Sequence, residues 1–156
     1  MSQAPGRSAL RGFTLVELVI VVLIAGILSL VAYPTFMDSI RKSRRSEALA
    51  ALAAVQQAQE RWRSNHAEYT TSLGDLGLSA DTPSNYYTIS VAAAPASAPL
   101  SSAYVANAVG KTGTSQASDA QCRQVSVLFD GGNLTYAGCG NCETYAYAAT
   151  NACWAH

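Results

Sequence analysis

Twenty residues without a charge, Leu18 to Met37, follow a single carboxylate at Glu17. At 1.5 Å rise per residue, about 20 helical residues cover the ~30 Å hydrocarbon core of a bilayer. An ordinary secretory signal places its apolar region ahead of the cleavage site and loses it with the leader. Here the small residue able to mark a cut, Gly12, stands before the run, behind a short leader carrying Arg7 and Arg11. A cut after Gly12 would leave the apolar segment on the mature chain, with a new terminus at Phe13. That order of parts predicts a subunit held in a membrane and later packed into something larger.

A plain anchor does not account for Glu17. A carboxylate at the centre of a helix in lipid costs roughly 2.5–3.5 kcal/mol on insertion scales, and less near an interface. Glu17 lies one turn from the start of the run, so snorkelling relieves it in a free subunit. Pro34 is a second interruption. It has no amide hydrogen and crowds the carbonyl near Leu30, which kinks or loosens a helix. Gly26 weakens the same stretch through backbone entropy.

Gly12-Phe13-Thr14-Leu15-Val16-Glu17-Leu18 resembles the cleavage and methylation site of type IV prepilins. The resemblance covers about the first quarter of the chain. It implies that prepilin peptidase cuts after Gly12 and methylates the amine of Phe13. It also implies that Glu17, fifth in the mature chain, pairs with a neighbour's Phe13 amine in the filament. A desolvated pair of that kind sets register, because a subunit one step out of place leaves a charge uncompensated. Gly26 and Pro34 match the family's glycine and proline, between which the helix can melt in the filament.

Beyond Pro34 the pattern becomes amphipathic. Leu49, Leu52, Val55, Gln59, Trp62, His66 and Tyr69 recur at spacings of three and four. Alanines from Ala48 to Ala58 favour helix, which is expected to reach about Asn65. Gln59 and His66 break the apolar stripe, and Glu47, Gln56, Glu60 and Arg63 occupy the opposite face. Arg41-Lys42-Ser43-Arg44-Arg45 places four cations just past the span, which would normally predict a cytoplasmic side. The cysteines and the prepilin motif argue for the other side. The cluster is expected to pair with acidic groups of neighbouring subunits, such as Asp38 or Glu47, or to form a solvated face.

The remaining roughly 90 residues suffice for one modest core, which cross-links would help. Tyr86–Ala92, Tyr104–Val109, Gln124–Phe129 and Leu134–Ala137 read as strands, with Asp130-Gly131-Gly132-Asn133 as a hairpin turn. No helical pattern separates them, so an antiparallel meander against the amphipathic helix is expected. After Arg63 the basic residues are Lys111 and Arg123, against Glu68, Asp75, Asp81, Asp119, Asp130 and Glu143. Such a head does not favour general nucleic-acid binding.

All four cysteines, Cys122, Cys139, Cys142 and Cys153, fall in this region, as expected for disulfides in an oxidising compartment. By count they admit three pairings. Asp119-Ala120-Gln121-Cys122 and Cys153-Trp154 resemble the paired cysteines of PilE-like minor pilins. This resemblance implies Cys122–Cys153, leaving Cys139–Cys142 as a short bridge. A redox Cys-x-x-Cys belongs at a helix start with an exposed thiolate; the sequence here reads as a Gly-rich loop. A zinc site needs more ligands than one knuckle-like pair supplies, and carboxylates near Asp130 are too few for calcium. Tyr145, Tyr147 and Trp154 admit two readings, an adhesive patch or packing for a disulfide loop.

The fold expected is α+β and type IV pilin-like: a long N-terminal helix on a small antiparallel sheet. Its parts are a cleaved leader (1–12), a transmembrane and filament-core helix (13–37), an amphipathic half (38–66) and a disulfide-bonded head (67–156). The function expected is that of a structural subunit, a minor pilin, and not an enzyme, with no cofactor or metal. It would support pilus biogenesis, twitching motility, adhesion and DNA uptake. Expected partners are other pilin subunits, prepilin peptidase, the inner-membrane assembly machinery and lipid. Before assembly the chain would sit in a bacterial inner membrane with its head in the periplasm, and afterwards in a surface pilus. A type II secretion pseudopilin shares the N-terminal motif and is the alternative; a membrane-tethered periplasmic thiol enzyme is a third reading.

Overall fold

The computed structural model describes residues 13–95 and 98–154. The chain forms two units, Met1–Met37 and Asp38–His156. Helix α1 spans Leu15–Arg63 and is followed by strands β1 (Tyr87–Ala92), β2 (Ala103–Gly110), β3 (Gln124–Asp130) and β4 (Asn133–Cys139). A single 3-10 turn, Ser115–Ser118, lies between β2 and β3.

In the first unit α1 continues through both Gly26 and Pro34. Its start is capped by Thr14, whose hydroxyl accepts the Glu17 amide hydrogen at 3.2 Å. This satisfies one of the unpaired donors of the first turn. Ser29 donates its hydroxyl to the Ala25 carbonyl at 2.7 Å, so this polar side chain is matched within the helix.

In the second unit the four strands lie in sequence order, each antiparallel to the next. Cross-strand alignment runs Ile89, Ala108, Val125, Gly138. Alternation places Tyr87, Ile89 and Val91 on one face, with Tyr104, Ala106, Ala108, Val125 and Val127 beside them. Ala48, Leu52 and Val55 of α1 pack into this face, together with Tyr69. The architecture is α+β, a long helix on a small antiparallel sheet, as the strand pattern predicted. Gly131 and Gly132 connect β3 to β4, both with positive φ (55° and 91°). This is the two-residue hairpin geometry whose twist suits the flanking strands.

The helix ends at Arg63, within two residues of the expected end near Asn65. The Arg63 guanidinium donates to the carbonyls of His66 (2.8 Å) and Ser101 (2.9 Å), holding the chain as it leaves the helix. His66 therefore does not continue the stripe. It stacks on Trp62, ring centroids 3.6 Å apart and planes nearly parallel. Gln59 is fully buried. Its side-chain amide donates to the Thr70 carbonyl at 2.6 Å and accepts the Thr70 amide hydrogen at 3.2 Å. A peptide-like side chain thus satisfies both backbone groups of a loop residue that the core would otherwise leave unpaired.

The sheet is also covered on its second face. Ala94, Ala103 and Val105 are buried there with Leu128 and Tyr147 against them. That is why Ala103 to Ala106 are buried without alternation. Both outer strands are paired along part of their length. Asp81 bridges to Thr88 on β1, and Ala148 exchanges two backbone hydrogen bonds with Tyr136 on β4, at 2.8 and 3.0 Å. Short edge pairings of this kind remove templates for unwanted strand addition.

Candidate assembly site

The first unit presents an uncovered apolar surface. Phe13 is 83% exposed and Leu30 78%, and Leu15 to Ile24, Ile27, Leu28, Val31, Tyr33 and Phe36 are exposed in the same way wherever the side chain is large and apolar. This is the one helix, among the described residues, long and apolar enough to cross a membrane. A contiguous apolar surface of that extent must be covered by lipid or by other protein. Glu17 lies in the first turn of α1, where a carboxylate is favoured by the helix dipole. The Thr14 cap completes half of a capping box with Glu17. Its signal, Thr-x-x-Glu before an apolar run, stands in the sequence and was missed there. Gly12 lies outside the described residues.

The basic run takes a different role from the one expected. Arg45 grips Asp119 with two parallel bonds, Nε to Oδ2 and Nη2 to Oδ1, each 2.7 Å. The pair is internal to the chain, with side chains 13% and 2% exposed. Arg41 donates to the Ser115 carbonyl at 3.2 Å and pairs with Asp38 at 2.8 Å. Arg44 donates to the Ser115 hydroxyl and stacks over Tyr86, 4.0 Å from its ring centre. Gln116, fully buried, donates to the Arg41 carbonyl at 3.3 Å and to the Tyr87 hydroxyl. Three of the four cations therefore fasten the 115–119 segment to α1. Glu47 also stays within the chain, accepting the Ser84 amide hydrogen at 2.8 Å. Pairing across subunits, expected for this cluster, is corrected for Arg41, Arg44, Arg45 and Glu47. The missed partner was Asp119, 74 residues away.

Asp119 connects this clamp to the cysteines. Its Oδ1 also accepts the amide hydrogens of Gln121 (3.1 Å) and Cys122 (3.0 Å). Burial acts to raise its pKa. The Arg45 guanidinium and the two amides outweigh burial and hold the carboxyl below its ordinary value. Cys122 is bonded to Cys153, and Cys139 to Cys142. Neither pair offers a thiolate, and no group of three or more metal-binding side chains gathers among the described residues.

Gly138 lets the tail close over β4, and Gly140 lets the loop before Cys122 approach the end of that strand. A Cβ on Gly138 would meet the Cys153 Cβ at 2.5 Å, and one on Gly140 would collide with the Ala120 carbonyl oxygen. Trp154 donates its indole hydrogen to the Ala137 carbonyl at 2.9 Å and packs on Tyr136, ring centroids 4.6 Å apart. The Tyr145 hydroxyl donates to Gln124 (3.1 Å) and the Tyr147 hydroxyl bonds Ser126 (2.9 Å). The three aromatic residues pack the disulfide-bonded tail onto the sheet.

A family model described as the type IV minor pilin ComP, DNA uptake sequence receptor, matches residues 34–126, more than half of the chain. The chain belongs to this type IV minor pilin family. A model of the prokaryotic N-terminal methylation motif matches residues 7–33, the stretch that contains Gly12, Phe13, Glu17 and Gly26. The chain is also similar to the type IV major pilin protein PilA of Myxococcus xanthus (strain DK1622), 33% identical over 84 residues. That match covers 53% of this chain and 38% of the relative, so it spans less than half of the relative's length. A type IV pilin subunit accounts for the bare apolar helix, whose surface other pilins would cover.

Proposed function

We propose that the chain is cut after Gly12, methylated on Phe13 and held by residues 13–37 in a bacterial inner membrane with its head in the periplasm. From there it enters a type IV pilus, packing its apolar helix against those of other subunits. Glu17 sets the register by pairing with a neighbour's Phe13 amine, and the stretch from Gly26 to Pro34 yields when the fibre is pulled. Prepilin peptidase and the inner-membrane assembly machinery are the transient partners. The fibre then serves surface attachment, twitching motility and the uptake of DNA.

The observation carrying this reading is the uncovered apolar surface from Phe13 to Phe36, interrupted near its start by one acid. Filament packing removes that surface from contact with lipid and neutralises the acid together. The family model is described as a DNA uptake sequence receptor. For this chain the support for DNA uptake is assigned to the fibre rather than to general DNA binding by the head. After Arg63 the chain carries two cations, Lys111 and Arg123, against six carboxylates, and counterion release needs a cationic surface.

Expression with and without prepilin peptidase, followed by N-terminal sequencing and mass measurement, tests the first step. A mature chain beginning at methylated Phe13 is expected only with the peptidase. A chain that keeps Met1, or that is cut elsewhere, overturns the proposal.

A further inference from the structure

On the sheet face turned away from α1, tail residues Glu143 to Tyr147 and the segment Ala92 to Pro95 border a groove of about 340 Å³. We propose that this groove is a binding site for a neutral saccharide. Its walls are Pro95, Val105 and the rings of Tyr145 and Tyr147, and its polar groups include Asn107 and Glu143. The size is that of a small-ligand site.

The chemistry of the lining selects the ligand. Both tyrosine hydroxyls are engaged by the sheet, Tyr145 with Gln124 and Tyr147 with Ser126. The rings are thereby fixed, and they enter the groove as apolar surface. An aromatic face is electron-rich and attracts the weakly positive C–H groups of a sugar ring. The Asn107 side-chain oxygen is occupied, accepting the Ser126 hydroxyl hydrogen at 2.6 Å. Its amide N–H groups remain as donors. Glu143 is exposed and supplies a charged acceptor. A rigid aromatic wall, one fixed donor and one carboxylate match a ligand with hydroxyls around a C–H face.

Competing ligands fit less well. The groove lining contains no lysine or arginine and does contain Glu143, so a phosphodiester would meet repulsion without counter-charge. An extended peptide seeks a free strand edge, and parts of both edges of this sheet are already paired. The site is complete within one head, so it stands apart from the assembly reading and is tested on unassembled protein.

The full chain in a zwitterionic, sugar-free detergent would be mixed with chitotetraose, with cellotetraose, or with a short DNA duplex. Saturation transfer from the tyrosine rings to sugar C–H protons is the readout, with Kd from titration. At least one tetrasaccharide is expected to bind. Glu143→Gln and Tyr145→Ala are each expected to weaken it about tenfold, the loss of one good contact. Glu143 is exposed, so its variant tests the site even if Tyr145→Ala loosens the tail. Transfer to neither tetrasaccharide, wild-type affinity in Glu143→Gln, or binding of the duplex alone would each overturn the proposal.

Discussion

Asp119 accepts two hydrogen bonds from Arg45 on α1 and two from the backbone that leads into Cys122. Removing the guanidinium leaves a carboxylate that is 2% exposed without its counter-charge. Arg45→Ala is therefore expected to cost about 3 kcal/mol, as for breaking a buried pair. Thermal unfolding of the full chain in detergent, followed by near-UV circular dichroism, measures it; an unchanged midpoint would show the pair to be dispensable. The same carboxylate sets a pH dependence. Its folded pKa is depressed, so its stabilisation is fully present above the ordinary aspartate value and is lost as pH falls through the folded one. The wild-type head should lose stability below about pH 4. Arg45→Ala should flatten that fall, since the guanidinium heads the groups that oppose burial.

At the scale of elements, the tail and the helix each carry a separate test. The Cys122–Cys153 bond closes a loop with a sequence separation of 31, worth about 3–4 kcal/mol in the chain-entropy model. A Cys122→Ala/Cys153→Ala double variant is expected to lose that stability and to expose Trp154 to fluorescence quenchers. Gly140→Ala should act on the same element from the other side, because the Ala120 carbonyl occupies the space a methyl group needs. Mass analysis after thiol alkylation would detect its misformed bridges. For α1, Pro34→Ala restores a backbone donor inside the helix. Assembled fibres of that variant should contain more helix and stretch less under load; identical helix content in both fibres would count against melting between Gly26 and Pro34.

For the molecule as a whole, the two units behave as different solvents require. The 38–156 unit has a core, disulfides and partly paired sheet edges; only Gln116 Oε1 and Arg123 Nε are buried without a hydrogen-bond partner among the described side chains. The first unit leaves its large apolar side chains bare. Folding of one chain completes the head and leaves the N-terminal helix for lipid or neighbours to cover. Glu17→Ala should consequently leave the head's unfolding midpoint and membrane insertion unchanged while removing the protein from sheared fibres. Normal incorporation of this variant would remove the register role.

The N-terminal helix, the strand order and the β3–β4 turn were legible in the residues themselves. Each depends on local period or backbone preference: an unbroken apolar run, alternation along strands, and two adjacent glycines able to take positive φ. The spacing of Glu17 from Phe13 is likewise read directly along the chain. Tertiary structure alone decided the partners of the arginine run, the burial of Gln59, the covering of the sheet's second face by Tyr147, and the need for Gly138 and Gly140. Those depend on atoms brought together across loops, such as Arg45 and Asp119, 74 residues apart. A polar side chain in sequence carries no mark of which distant group will take its hydrogen bond. Only the packed chain, in which every buried donor must find an acceptor, settles that choice.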